Sequence, residues 1–136
     1  MTQKQKVIVI FDTNMLMLSA QKPLDIFLEV ERILNMAYTP AVLSTTIREL
    51  LTLTEKGRPK ERMESKLALE LAKRCQVIEV NSSVSADVSI IEYTRKNRKV
   101  IVATNDSELR RKLRRMGVPV IYLRGYDHLE LEGEIY

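Results

Sequence analysis

Four carboxylates stand just beyond the segments of this chain best suited to be strands. Asp12 follows the apolar run "VIVIF" (7–11), and Asp106 follows "VIVAT" (100–104) after one intervening residue, Asn105. Glu49 falls in the first turn of the helix expected after a strand at 38–44, and Asp87 in the first turn of the helix expected after a strand at 77–80. In an open parallel sheet, functional groups gather beyond the carboxyl ends of the strands, where the strand order reverses. If strands 7–11 and 100–104 are neighbours, Asp12 and Asp106 meet there, and Glu49 and Asp87 share the same edge. Carboxylates brought together repel and raise one another's pKa, a conflict that a divalent cation removes. Oxygen donors without a partner His or Cys favour a hard ion, Mg²⁺ or Mn²⁺. The helix after Asp106 carries Arg110, Arg111, Lys112, Arg114 and Arg115, a face suited to a phosphate backbone. A hard cation beside phosphate points to phosphodiester hydrolysis, with the ion activating a water, steadying developing charge and orienting the bond for in-line attack.

Each residue also has a simpler reading. Asp106 could only cap the 107–116 helix, Glu49 could only be the reciprocal capping-box partner of Thr46, and Asp87 could only complement a helix dipole. Asp12 could form a turn. The basic run could be a solvated helix face, and the second basic group, Arg95, Lys96, Arg98 and Lys99, a surface turn. These readings explain the residues singly and leave unexplained why all four acids fall on one edge. A module that grips RNA through the basic helix without cutting it is the non-catalytic alternative, and its affinity would fall with salt.

Alternation of apolar strands and amphipathic helices must position these groups. Strands are predicted at 7–11, 38–44, 77–80, 100–104 and 118–123. Helices are predicted at 23–36, opened by Pro23, with Ile26, Leu28, Val30, Ile33 and Leu34 on its apolar side; at 45–57, stopped by Gly57; and at 59–75, opened by Pro59, with a stripe of Met63, Leu67 and Leu71 beside Ala68 and Leu69. Two more are predicted at 83–97 and at 107–116, the latter with Leu109, Leu113 and Met116 inward. Continuous apolar strands such as 7–11 suit a parallel sheet covered on both faces. The pattern predicts an α/β sandwich with a mostly parallel sheet. The ending "RGYDHLELEGEIY" (124–136) is expected to be a short tail that adds a weak strand or stays loose.

Composition narrows the field. The 136 residues fit one domain over 1–136, and with no Trp and few aromatics the core must be aliphatic. One cysteine, Cys75, excludes an internal disulfide and a cysteine-cluster zinc site, and it reads as a small core residue. The single His128 lies in the tail, poorly placed for a Ser-His-Asp triad. A net charge of +4 mildly favours polyanion partners. No apolar run has the length of a membrane span, and "MTQKQK" before a five-residue apolar strand does not read as a secretory signal, so a cytoplasmic protein is expected. A glycine-rich phosphate loop is missing after 7–11, which weakens a nucleotide-binding Rossmann reading.

The segments "VIVIFDTNMLM", "LSTTIRELLTL", "SADVSIIEYT" and "VIVATNDSELRRKLRRMGVPVIYLR" occur in an order that resembles the PIN-domain ribonucleases over nearly the whole chain. The resemblance implies a three-layer α/β/α fold with strand order 3-2-1-4-5 and Mg²⁺- or Mn²⁺-dependent endonuclease activity on single-stranded or structured RNA. It implies that Asp12, Glu49, Asp87 and Asp106 are catalytic metal ligands and that Asn14, Thr104 and Asn105 orient ligands or water. Homodimers are common among such proteins. The ending "GVPVIYLRGYDHLELE" is more similar to the archaeal relatives of the small-subunit processome nuclease, implying ribosomal RNA maturation and a ribosome-assembly partner. The VapC toxin branch, with its antitoxin partner, is the alternative.

Overall fold

The computed structural model describes residues 7–135, so the N-terminal "MTQKQK", expected not to be a secretory signal, and Tyr136 lie outside the described residues. Its elements in chain order are β1 (Val7–Phe11), α1 (Thr13–Gln21), α2 (Ile26–Leu34), β2 (Tyr38–Leu43), α3 (Ser44–Lys56), α4 (Pro59–Ala72), β3 (Gln76–Ile78), α5 (Ala86–Lys96), β4 (Val100–Ala103), α6 (Ser107–Arg115), β5 (Val120–Arg124) and β6 (His128–Glu132). The sheet order is β3-β2-β1-β4-β5-β6. The first five strands run parallel, and β6 pairs antiparallel with β5. The tail therefore supplies an edge strand.

Parallel strands buried on both faces explain the unbroken apolar runs. Successive side chains of a strand point to opposite faces. In β1, Val9 and Phe11 enter one core with α1, α2 and α4, while Ile10 enters the other with α5 and α6. In β4, Ile101 and Ala103 join the first core, and Val100 and Val102 the second. Burying each large aliphatic or aromatic side chain stabilises by about 1.5–3 kcal/mol, so both layers are held to the sheet by alternate residues of the same two strands. β1 and β4 lie side by side at the reversal of strand order, with Phe11 opposite Ala103. The two central strands therefore end together, and the turn leaving β1 meets the turn leaving β4.

Several elements depart from the expectations. α1 begins directly after Asp12, where no helix was predicted. Its start is hidden in sequence because Thr13, Met15, Leu16, Met17 and Leu18 are all buried, so no polar face marks a helical period. The helix expected from 23 begins at Ile26, capped by Asp25 accepting from the Leu28 N–H at 3.1 Å, and Pro23 lies outside it. Leu28, assigned to the apolar side, is 62% exposed. In α4 the expected stripe holds at Ala68, Leu69 and Leu71, which enter or pack against the first core, but Met63 and Leu67 are exposed while Glu64, Ser65 and Ala72 are buried. Small residues let α4 approach α1 closely, and Glu64 accepts a 2.8 Å hydrogen bond from Gln21 there. The remaining boundaries shift by a few residues, within the usual ambiguity of helix and strand ends. Cys75 is half-buried against the first core, and burial pushes its thiol up to about 12, in keeping with a packing role.

Candidate active site

Asp12 occupies the junction of β1 and α1. Its backbone N–H continues the ladder to the Ala103 carbonyl at 3.0 Å, which draws the end of β1 against the end of β4. Its side chain is buried at 2% exposure. One oxygen, Oδ1, accepts from the Thr13 N–H at 2.7 Å, and the other, Oδ2, accepts from the Thr104 hydroxyl at 2.8 Å. Burial is the main reason its pKa rises from 3.8 to about 6; the two hydrogen bonds oppose that rise, while Asp87 and Glu49 add to it.

The turn after β4 is tied to the turn after β1. Asn14 Oδ1 accepts from the Asn105 N–H at 2.9 Å and from the Thr104 hydroxyl at 3.4 Å. Thr104 Oγ1 in turn accepts from the Asp106 N–H at 3.1 Å. Thr104 thus joins Asp12, Asn14 and Asp106 in one network at the sheet edge. Asn14 and Thr104 occupy positions suited to orienting the acids, whereas Asn105 enters the network through its backbone.

The remaining acids arrive from three helices, Asp106 and Asp87 at the starts of α6 and α5 and Glu49 in the second turn of α3. Asp106 caps α6, its Oδ1 accepting from Glu108 N–H at 2.9 Å and Leu109 N–H at 3.2 Å. The capping reading of Asp106 therefore holds, and the same carboxylate also lines the acidic pocket at the sheet edge. The capping-box reading of Glu49 does not hold. Leu43 is the N-cap of α3 without a side-chain bond, and among the described residues the buried Thr46 hydroxyl has no hydrogen-bond partner. Residue 46 lies inside a helix that starts three residues earlier than a Thr46 cap requires, so Glu49 falls in the second turn of α3 and not in its first as expected, exposed and free of that bond. Ser85 caps α5 by accepting from Val88 N–H at 3.3 Å, so Asp87 sits in the first turn, where a carboxylate favours the dipole. Burial is the largest influence raising the Asp87 pKa, with Asp106 and Glu108 adding to it and Lys112 opposing.

That pocket, of about 360 Å³ at the carboxyl edge of the sheet, is lined by Asp12, Thr13, Asn14, Met17, Glu49, Leu53, Glu61, Ser85, Asp87 and Asp106. It contains all four acids singled out from sequence, three from strand-to-helix junctions and Glu49 from the second turn of α3. It also contains Glu61, which the sequence reading missed. Glu61 Oε1 accepts from the Arg58 N–H at 2.9 Å at the start of α4. Its spacing after Pro59 marks a helix start, and nothing in sequence shows that the α3–α4 turn folds back over the pocket.

Among the described residues, no ion pair links a lysine or arginine to Asp12, Glu49, Asp87 or Asp106. Nor, among the described residues, do any three acids stand close enough to form a ready-made cation cage. The donor set nevertheless fits a hard divalent ion, because it is all oxygen, one member is buried without a cation, and the others line the same open pocket. An ion that keeps several waters, as Mg²⁺ does, needs only one or two of these carboxylates directly.

The basic run after Asp106 divides around α6. Arg110 stacks over Tyr122, 4.0 Å from the ring centroid, and its Nε lies 3.9 Å from Glu132. Arg114 pairs with the same Glu132 at 3.4 Å and donates to the Val118 carbonyl at 3.1 Å. Both are half-buried and fasten α6 to β5 and β6. Arg111, Lys112 and Arg115 are exposed. The expectation of one five-residue phosphate-facing surface is thus corrected, because side chains four apart share a helix side and the pair 110/114 turns toward β6.

A parallel sheet whose carboxyl edge, at the reversal of strand order, gathers acids from its strand ends and from the helices that follow them into one pocket defines a class of protein as well as a site. Residues 9–126 match the PIN like domain family, and the chain belongs to that family. It is 32% identical over 129 residues to Ribonuclease VapC4 of Methanocaldococcus jannaschii, covering 93% of this chain and 98% of that relative. It is also 32% identical over 116 residues to Ribonuclease VapC9 of Archaeoglobus fulgidus, covering 85% of this chain and 82% of that one. The solved structure of the PIN domain endonuclease Utp24 superimposes with a TM-score of 0.78 at 22% identity, over 94% of this chain and 92% of that one. That likeness bears on the fold, whose first five strands have the expected order 3-2-1-4-5.

Proposed function

We propose that the chain is a Mg²⁺- or Mn²⁺-dependent endoribonuclease that hydrolyses RNA phosphodiester bonds, with residues 1–136 acting as a single nuclease domain. The observation that carries this reading is the meeting of Asp12, Glu49, Asp87 and Asp106 in one pocket. The two relatives at 32% identity, both named ribonucleases, support it. When bound, the ion would supply an activated water and positive charge for the scissile phosphate. Asp12 is the innermost ligand, fixed by Thr13 and Thr104. Glu49, Asp87 and Asp106 complete the acidic wall. Asn14 and Thr104 hold the two central turns in register, and Arg111, Lys112 and Arg115 draw the RNA backbone toward the pocket. The activity is proposed to be cytoplasmic; among the described residues no helix is long and apolar enough to cross a membrane.

The deciding experiment incubates the purified protein with single-stranded and structured RNAs in Mn²⁺ or in EDTA. Cleavage in Mn²⁺ that EDTA abolishes is expected; RNA that stays intact in both, yet binds with salt-sensitive affinity, would leave the non-catalytic RNA-binding module. Mn²⁺ affinity should also depend on pH. Ligand carboxylates must be ionised to bind, and Asp12 takes up its proton near pH 6. Affinity is expected to fall by roughly tenfold per pH unit below about 6, as calorimetry can measure. A flat profile between about pH 5 and 7 would remove Asp12 from the ligand set.

The identities to VapC4 and VapC9 favour a toxin role over ribosomal RNA maturation, which rests on the resemblance of the C-terminal segment alone. In the toxin reading an antitoxin covers the site, and expression of the chain alone arrests growth. A homodimer and a ribosome-assembly partner are the other assemblies to look for by co-purification.

A further inference from the structure

Beside the acidic pocket, and sharing Asp87 and Asp106 with it, lies a second cavity of about 270 Å³ between the first turns of α5 and α6. Val88, Ile91 and Leu109 form apolar walls, and Glu108 and Lys112 line the same cavity. Glu108 and Lys112 are linked at 3.6 Å. The geometry points to a subsite for one unstacked RNA base next to the scissile phosphate. This inference rests on the ribonuclease reading and names what the neighbouring cavity would take from that substrate.

Three observations select a base over other parts of RNA. Phosphate is disfavoured, since Asp87, Asp106 and Glu108 put three carboxylates around the space against one lysine. Sugar hydroxyls would gain little from walls of valine, isoleucine and leucine. A base offers what the cavity lacks, a flat body to cover the apolar walls and a polar edge to meet Glu108 and Lys112. Single-stranded RNA presents such bases readily, because unpaired nucleotides can be splayed out of the stack. The cavity is smaller than the ~300–1,000 Å³ typical for drug-sized ligands, which suits a single base. Val88 is 43% exposed, an apolar side chain at the mouth that packing within the chain does not account for. Glu108 can only accept hydrogen bonds when ionised, so it selects a base edge that offers an N–H donor. Adenine and cytosine offer an amino group, guanine an amino group and a ring N–H, and uracil its ring N3–H, whereas N3-methyluracil offers none.

The test uses short single-stranded RNAs at low salt in EDTA, with 2-aminopurine walked through successive positions. Among the described residues no aromatic side chain lines the cavity, so a base drawn out of its stack should brighten. A rise of several-fold at one position is expected in the wild-type protein and should be lost in Val88→Gln, a neutral change at an exposed site. An abasic nucleotide at that position should weaken wild-type binding by roughly tenfold and leave Val88→Gln no weaker than before. N3-methyluracil there should bind on the order of tenfold more weakly than uracil, a difference that Glu108→Ala should erase. If no position brightens, or the abasic RNA weakens wild type and Val88→Gln equally, the subsite is refuted. Cleavage of the unmodified RNA in Mn²⁺ is scored separately. Cleavage without brightening rejects the base subsite alone, and brightening without cleavage rejects the nuclease while keeping the subsite.

Discussion

Asp12→Asn should lower metal-dependent RNA cleavage by at least ~10²-fold, since a bound ion contributes several kcal/mol to phosphoryl chemistry and each 1.36 kcal/mol is tenfold in rate. The same substitution should make the metal-free protein more stable. A carboxyl whose pKa rises on folding favours its neutral form in the native state. Its contribution to stability is fully present below the ordinary value of 3.8 and is lost as pH climbs through about 6. At pH 7 the native protein therefore carries an ionised Asp12 in a place that disfavours it, at a cost of at most ~3 kcal/mol. Asparagine does not ionise and can keep the geometry. Its carbonyl accepts from the Thr13 N–H, its amide donates to Thr104 Oγ1, and the Thr104 hydroxyl can turn toward Asn14, 3.4 Å away. Thermal melts in EDTA at pH 7 should show Tm higher by several degrees, with the gap closing as pH falls from 6 toward 4. A variant that is inactive and also less stable at pH 7 would mean that Asp12 serves mainly as a packing and capping residue.

That opposition between stability and function bears on how far the amino-acid sequence revealed the site. The four acids were legible because each comes after a strand, and strands 7–11 and 100–104 are apolar at nearly every position, the mark of burial on both faces. The same apolar runs marked β1 and β4 as the central strands, whereas the full order 3-2-1-4-5 followed from the resemblance to the PIN-domain ribonucleases. The features that stayed hidden depended on long-range packing. α1 has no polar face to betray its period. α4 buries Ala68 and Ala72 and exposes Met63 and Leu67, because close approach to α1 outweighs side-chain hydrophobicity there. Glu61 joins the pocket only because the α3–α4 turn returns α4 to the sheet edge, and local sequence does not encode that direction. Glu132 captures Arg110 and Arg114 from the tail strand, which divided a basic run that reads as uniform.

Asp106 offers the sharpest separation of scaffold from chemistry, because it performs a structural task in full view. Its Oδ1 takes the N–H groups of Glu108 and Leu109, donors that a helix start leaves without partners inside the helix. Asparagine caps as well as aspartate, whereas alanine caps poorly and costs about 1 kcal/mol. Asp106→Asn should therefore melt within a degree or two of wild type, and Asp106→Ala several degrees lower. If capping were the whole role, cleavage would track stability, nearly intact in Asn and modestly reduced in Ala. If the carboxylate charge is needed in the pocket, both variants lose cleavage together, by ~10²-fold or more on the same estimate as for Asp12. The charge should also register on Asp87, whose pKa is raised in part by Asp106. Neutralising Asp106 should let the Asp87 pKa fall in both variants alike, which carboxyl NMR titration can detect. Parallel loss of cleavage and a parallel shift at Asp87, with divergent stabilities, is the expected pattern, since the pocket responds to charge at this position and the helix responds to hydrogen-bond acceptance.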